Sequence, residues 1–280
     1  MSLMLKLLAI TLALSSFLRA DASNAQVEDF LKKSFSNNPN IKSINIKVAN
    51  KIEVKDHEGW SAYIVELDAM LKKENRQITQ KMVWFSNGKV VTKELFDLKS
   101  SKDMNEFISV PFKDEYYNKA NLIYGNENAK HKVVIFSDPL CPFCRTFVPE
   151  AVEYMKKEPN KFAIYYYHFP LESLHPAAVE LTKAAVALEL KGAKDVILNL
   201  YKVEVDPKER KNEVILAEFN RVMNSKITMA DLMSSEVLKH FQNDLKVADS
   251  LMVNGTPTLF LDGVLDKTKM KYKKNSTLCK

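Results

Sequence analysis

Val133-Val134-Ile135-Phe136-Ser137-Asp138-Pro139-Leu140-Cys141-Pro142-Phe143-Cys144-Arg145 sets a Cys-x-x-Cys pair between two different periodicities. The run Val133 to Phe136 is short, unbroken and rich in β-branched residues, the pattern of a strand buried on both faces. Beyond it, Cys144, Phe147, Val148, Ala151, Val152 and Met155 recur at three- and four-residue spacing, which predicts a helix with one stripe against a core. Cys141 therefore falls near a helix N-terminus and Cys144 one turn inside.

That placement has a chemical consequence. The first helical turn offers unpaired N–H groups and the positive end of the macrodipole, and both favour a thiolate at Cys141. The thiolate is the nucleophile of disulfide exchange, and such settings bring a thiol from about 8.5 into a range of roughly 3.5–7.5. Cys144, on the apolar stripe, stays protonated until it attacks a mixed disulfide, so the pair can cycle between dithiol and disulfide. Two other roles compete. Zinc takes about four ligands, and Cys279 is the one cysteine left, with no second pair and no histidines at metal spacing. A structural disulfide within one helical turn closes too small a loop to constrain the chain. Redox chemistry is the expected role, with no metal and no organic cofactor.

Asp138-Pro139-Leu140-Cys141-Pro142-Phe143-Cys144, Pro149 in the following helix, and Gly255-Thr256-Pro257-Thr258 together resemble the thioredoxin superfamily. Within it they are most similar to the bacterial periplasmic Dsb proteins, especially the dimeric DsbC/DsbG-like branch. The segment His168-Phe169-Pro170 with His175-Pro176 is similar instead to monomeric DsbA-like oxidases. The resemblance is strong at 132–157 and 254–261 and rests on pattern elsewhere. It implies that the bond before Pro257 is cis and lies against the cysteines. It also implies that Thr256 and Pro257 dock an extended client strand, with Thr256 influencing release of the mixed disulfide. Having no N–H, Pro257 leaves neighbouring backbone groups available for such pairing. The expected site is thus Cys141 as attacking and Cys144 as resolving cysteine, with Thr256, Pro257, Pro142 and Phe143 binding substrate.

Outward from the motif, Met1 to Ala22 reads as a secretory signal peptide. Lys6 supplies the positive n-region, Leu7 to Leu14 a short apolar core, and Ala20-Asp21-Ala22 small residues for cleavage. An uncleaved anchor is the alternative. Export would place the chain in an oxidising compartment, the periplasm in the resembled family, where disulfides persist. A net charge of +6 without basic blocks interleaved with aromatics argues against nucleic acid.

Residues 23–98 read as a separate module. Val27, Phe30, Leu31 and Phe35 mark a short amphipathic helix, after which the period changes to two. Ile44, Ile46 and Val48 alternate, as do Tyr63 to Leu71 and Ile78, Met82 and Trp84. Asn87-Gly88 predicts a tight type I′ hairpin. A helix followed by about four antiparallel strands, a cystatin/NTF2-like arrangement, has no cysteine, and its one histidine, His57, sits in a polar turn. An open sheet edge and the resemblance point to a homodimerisation domain; packing on its own catalytic domain is the alternative.

Residues 99–120, polar and broken by Pro111, are expected to be a linker. The thioredoxin-like domain follows over 121–280. Phe162 to Tyr167 supplies the second strand of a right-handed parallel unit. His168 and His175 stand beside prolines at a strand end and a helix start, where capping and packing are expected. About 176–253 is helical by period, with Asp206-Pro207 marking a new start. The resemblance makes it an insertion roofing the active site. After Val264 and Leu265 the Lys-rich end, 267–280, reads as a solvated tail, a departure from the family's closing strand and helix.

The fold class expected is therefore mixed α+β and α/β. The function expected is a periplasmic thiol–disulfide oxidoreductase, isomerising or reducing wrong disulfides in exported proteins with the help of a membrane redox partner. A disulfide-introducing oxidase and a chaperone-like binder of unfolded chains are the competing readings.

Overall fold

The computed structural model describes residues 21–73 and 77–275. The apolar core expected of a leader and Cys279 lie outside the described residues. The chain divides into two compact units, Met1–Ile108 and Ser109–Lys280.

The first unit begins with α1 (Asn24–Ser36), entered through a capping box in which Ser23 and Gln26 satisfy each other's backbone N–H. Four antiparallel strands follow in sequence order: β1 (Ile41–Glu53), β2 (Ser61–Leu71), β3 (Gln77–Ser86) and β4 (Val91–Thr92). The predicted alternation sends Ile46, Val48, Tyr63, Val65, Leu67 and Ala69 to one face, where Val27 and Leu31 of α1 close the core. Asp21 and Ala22, assigned by sequence to the leader, belong to this unit. Ala22 is buried, its carbonyl accepts the Tyr63 hydroxyl at 2.6 Å, and Asp21 pairs with Lys51 at 3.2 Å.

The hairpin forms, but not as a two-residue type I′ turn. Pairing stops at Ser86 and Val91, and only Gly88 of the dipeptide has positive φ (83°). The Asn87 side chain accepts from the N–H groups of Lys89 and Val90 and so builds a longer, side-chain-braced loop.

The stretch expected as a linker, 99–120, is divided between the two units. Met104 is buried against Val54, Ala62 and Phe85 on the second face of the sheet, and Phe96 bridges Asp103. Beyond Ile108, Phe112 and Tyr116 pack on the core of the second unit. The apolar residues of this polar segment, too sparse to show a period, decide where each half goes.

The second unit contains β5 (Leu122–Tyr124), β6 (His131–Ser137), α2 (Pro142–Lys156), β7 (Phe162–His168), α3 (Pro176–Leu190), α4 (Val196–Leu200), α5 (Asn212–Met223), α6 (Met229–Leu232), α7 (Ser235–Ser250), β8 (Thr258–Leu261), β9 (Val264–Leu265) and α8 (Lys271–Asn275). Its sheet has the order β5-β7-β6-β8-β9, with β6 and β7 parallel and every other pair antiparallel. The sheet is covered on both sides, which explains the unbroken apolar runs. Val133, Ile135, Ile164, Tyr166, Leu259 and Leu261 face α2, whereas Val134, Phe136, Ala163, Tyr165, Tyr167 and Phe260 face Val247 and Ala248 of α7 and Leu251 at its C-cap. α7 thus joins two layers: its C-terminal half covers the sheet, and Val237 in its first turn closes the separate core built by α3 to α6. α3 is apolar nearly all round and sits at the centre of that cluster.

The end of the chain is not wholly a solvated tail. Asp266 accepts from the N–H groups of Thr268 and Lys271, which turns the chain into α8, and Tyr272 on α8 is buried against the α2 layer. One aromatic side chain fixes a helix that the surrounding lysines conceal in the sequence.

Candidate active site

β6 delivers Ser137 and Asp138 to the end of the sheet, and the chain turns there into α2. Cys141 is the N-cap residue of α2, with extended φ and ψ of −68° and 123°, and Pro142 occupies the first turn, where its missing N–H is harmless. Cys144 follows at the third helical position, fully buried on the apolar stripe with Val148, Ala151, Val152 and Met155. Both Cys141 and Cys144 are free thiols. Phe143 between them is 78% exposed, an apolar ring held in solvent beside a thiol that is only 5% exposed.

The second half of the expected site arrives from α7 and β8. The Thr256–Pro257 peptide is cis, and the Thr256 carbonyl accepts from the Cys141 thiol at 3.7 Å. The Thr256 hydroxyl is buried without a hydrogen-bond partner. Thus Cys141, Cys144, Thr256 and Pro257 come together, with Pro142 and Phe143 at the exposed rim.

The two thiols have unlike surroundings. Burial pushes the Cys144 thiol up to about 12, opposed by the hydroxyls of Ser137 and Thr256 and by the Asp138 backbone, which favour the thiolate. Cys141 instead lies at the N-cap of a 15-residue helix, its thiol against the Thr256 carbonyl.

Asp138, quoted in the motif without a role, is the hub of the loop. Its carboxylate is wholly buried. One oxygen accepts from the N–H groups of Leu140 (2.7 Å) and Cys141 (3.2 Å), the other from Leu171 N–H (2.8 Å) and His175 Nδ1 (2.8 Å). His175 therefore pairs with a carboxylate beside the redox loop, rather than capping α3, where its side chain makes no cap bond. His168 also has acidic neighbours that the sequence could not place. Its N–H donates to Asp244 at 2.9 Å, and its ring stands 3.9 Å from Glu189. Arg145 adds a further tie, donating to the carbonyls of Val203 (2.9 Å) and Pro139 (3.4 Å). An Asp two and three residues ahead of the N–H groups it accepts is a local signal, and Asp138 was findable on that spacing. Tyr201, whose hydroxyl reaches Ser137 across 64 positions, had no such signal.

Among the described residues no group of three or more His, Cys, Asp or Glu side chains is arranged to hold a metal ion. Nor is any helix among them long and apolar enough to cross a membrane.

A mixed sheet whose central strand feeds a Cys-x-x-Cys helix, with a cis-proline loop against the first sulfur, defines a dithiol protein of thioredoxin-like architecture. A thioredoxin family model matches residues 117–280, and the chain belongs to that family.

Among curated proteins, the chain is 28% identical over 146 residues to the Na(+)/H(+) antiporter NhaA 1 of Mycolicibacterium gilvum, matching 50% of this chain and 23% of that one. The antiporter of the same name from Mycolicibacterium vanbaalenii is 25% identical over 152 residues, 52% of this chain and 24% of that one. The chain spans about a quarter of the length of these relatives.

Solved structures similar in fold include a thioredoxin-like oxidoreductase from Silicibacter pomeroyi DSS-3, at 20% identity and TM-score 0.45, covering 59% of this chain and 99% of that one. Proteus mirabilis ScsC in a transitional conformation is 23% identical, with TM-score 0.45 and coverage of 58% and 76%. The thiol–disulfide exchange protein α-DsbA2 of Wolbachia pipientis is 20% identical, with TM-score 0.46 and coverage of 59% and 90%.

Proposed function

We propose that this protein is a thiol–disulfide oxidoreductase of exported proteins, working as an isomerase or reductase of incorrect disulfides. The observation that carries the reading is the asymmetry of the pair: Cys141 at the N-cap beside the Thr256 carbonyl, Cys144 fully buried one turn below. Cys141 attacks a client disulfide and forms a mixed disulfide; Cys144 then attacks Cys141 and releases the reduced client. Thr256 and Pro257 dock the client backbone as an added strand, and the exposed Phe143, with Pro142, gives the client an apolar contact beside the nucleophile. The periplasm is the proposed location, a membrane redox partner resets the pair, and the first unit makes a homodimer.

Insulin reduction tests the chemistry. Wild type is expected to precipitate insulin chains in the presence of a thiol reductant, and Cys141→Ser is expected to be inactive; equal rates would leave only a chaperone-like binder of unfolded chains. The oxidase is the second reading, favoured by the His175–Asp138 pair hydrogen-bonded to the Cys141 loop. The redox state of the pair in cells separates the two: a steady dithiol fits the isomerase or reductase, a steady disulfide the oxidase.

A further inference from the structure

Three hydroxyls form a row in the layer that buries the resolving cysteine. Ser137 Oγ lies 2.7 Å from Tyr201 Oη, and Tyr201 Oη lies 2.7 Å from Tyr166 Oη. All three residues are buried, at 0%, 5% and 2% exposure. They come from different elements: Ser137 ends β6, Tyr166 lies on β7, and Tyr201 follows α4 in the helical insertion. In both contacts either oxygen can be the donor, so the hydrogens of the row can all point toward Cys144 or all away from it. Cys144 packs in the same buried cluster as Tyr166 and Tyr201, and the Ser137 hydroxyl favours its thiolate.

The row suits a specific difficulty of the proposed exchange reaction. A thiol shut away from water must become a nucleophile, and burial raises the Cys144 thiol to about 12. The two tyrosine hydroxyls are raised as well by burial, so they stay protonated and remain donors. No carboxylate or ammonium hydrogen-bonds to Ser137, Tyr166 or Tyr201 through its side-chain hydroxyl among the described residues.

We propose that Tyr166, Tyr201 and Ser137 form a hydroxyl relay that stabilises the developing Cys144 thiolate during resolution of the mixed disulfide. This rests on the thiol–disulfide reading above. In the step, the Cys144 sulfur attacks Cys141 Sγ; the Cys141–Cys144 bond forms and the bond from Cys141 to the client sulfur breaks. The client sulfur departs as a thiol carrying the proton that Cys144 gives up. The protein pair is oxidised by two electrons and the client disulfide is reduced. As charge gathers on Cys144, Ser137 O–H donates to it, Tyr201 O–H to Ser137, and Tyr166 O–H to Tyr201, each bond polarising the next. Ser137 is the hydroxyl of the row that acts on the Cys144 thiolate directly; Tyr201 and Tyr166 act through it and are positioning residues.

An aromatic disulfide with a coloured leaving thiolate separates the steps in full-length protein carrying Cys279→Ser. The first release of thiolate reports attack by Cys141, the second reports resolution by Cys144. Ser137→Ala is expected to slow the second release about tenfold at neutral pH, the scale of one hydrogen bond to a charged group. Tyr201→Phe keeps its ring and is expected to slow it about threefold, with Tyr166→Phe weaker still. In each variant the pH profile of the second release moves upward while that of the first stays in place. A purely structural role would lower thermal stability or slow both releases without this graded shift, and would overturn the relay. So would a second-release profile in Ser137→Ala and Tyr201→Phe that superimposes on wild type. Absence of the first release in wild type would instead remove the redox reading itself.

Discussion

At the scale of single residues, burial divides the labour between two chemically identical side chains. A thiol held near 12 is almost entirely protonated at neutral pH, whereas a sulfur at a helix N-cap meets the dipole of the whole helix. Cys144→Ala is therefore expected to accumulate mixed disulfides through Cys141, and Cys141→Ala to trap none. Mass spectrometry after acid quenching reads both, and mild alkylation that labelled Cys144 first would reverse the assignment. Asp138 holds the loop on which this depends. Asp138→Ala would leave the imidazole of His175 and the N–H groups of Leu140 and Leu171 without their acceptor, and Cys141 N–H with only the Asp138 carbonyl at 3.3 Å. A loss of about 3 kcal/mol is expected, in the range for a broken buried charged network, and denaturant midpoints measure it. Asp138→Asn keeps one acceptor oxygen and should lose less. An unchanged midpoint in Asp138→Ala would mean that water replaces the carboxylate.

At the scale of elements, α7 docks on β7 through a cluster of ionisable groups whose pH responses oppose each other. Burial raises the Asp244 carboxyl from 3.8 to about 7, against His168 and Asn121, which favour its charge. Burial lowers His240 from 6.5 to about 4, with His168 adding to the effect and Glu189 opposing it. Between about pH 4 and 6.5 the folded state thus keeps a proton on Asp244 that the unfolded chain releases, and stability falls as pH rises. In the same window the unfolded chain binds a proton at His240 that the folded state refuses, and stability rises with pH. The two slopes, each at most about 1.4 kcal/mol per pH unit, nearly cancel. His240→Asn is expected to unmask stability that declines from pH 4 toward 7, and Asp244→Asn stability that climbs from 4 to 6.5. Urea denaturation across that range decides it, and parallel curves for all three proteins would refute the cluster. None of this was visible in sequence, because the cluster is assembled from Asn121, His168, Glu189, His240 and Asp244 by tertiary packing. What sequence did show at this scale is what depends on neighbours along the chain: the buried run of β6, the stripe of α2 and the alternation of β2. The Asn87-Gly88 loop marks the border, since the dipeptide announced a reversal while its side-chain bonds set the loop's length.

At the scale of the whole molecule, each hydrophobic cluster is confined to one unit. Val27, Leu31 and the β1–β2 residues, with Met104 on the opposite sheet face, complete the first; Tyr116 and Phe112 already belong to the second. The boundary at Ile108 rather than at residue 98 was hidden because a handful of apolar side chains in a polar stretch carry it. The β1 edge of the sheet, where sequence suggested pairing between copies, carries Lys42 and Lys47, and two register shifts interrupt the pairing of β1 with β2. Charged side chains and bulges of that kind oppose edge-to-edge association, so a homodimer formed by the first unit is expected to use a surface other than the β1 edge. Residues 109–280 contain all the proposed redox residues and three of the five buried clusters among the described residues. Expressed alone, they are expected to fold cooperatively and to reduce insulin with the Cys141/Cys144 pair. A cut at residue 98 should give a less soluble product, because it strands Met104 and Ile108 without the sheet they cover. If the first unit makes the homodimer, the full chain should scatter as a dimer and 109–280 as a monomer. The truncated protein should then lose refolding of scrambled substrates and become more oxidised in cells. A monomeric full-length protein, or a truncation that retains scrambled-substrate refolding, would move the reading from isomerase to oxidase while leaving the dithiol chemistry of the second unit in place.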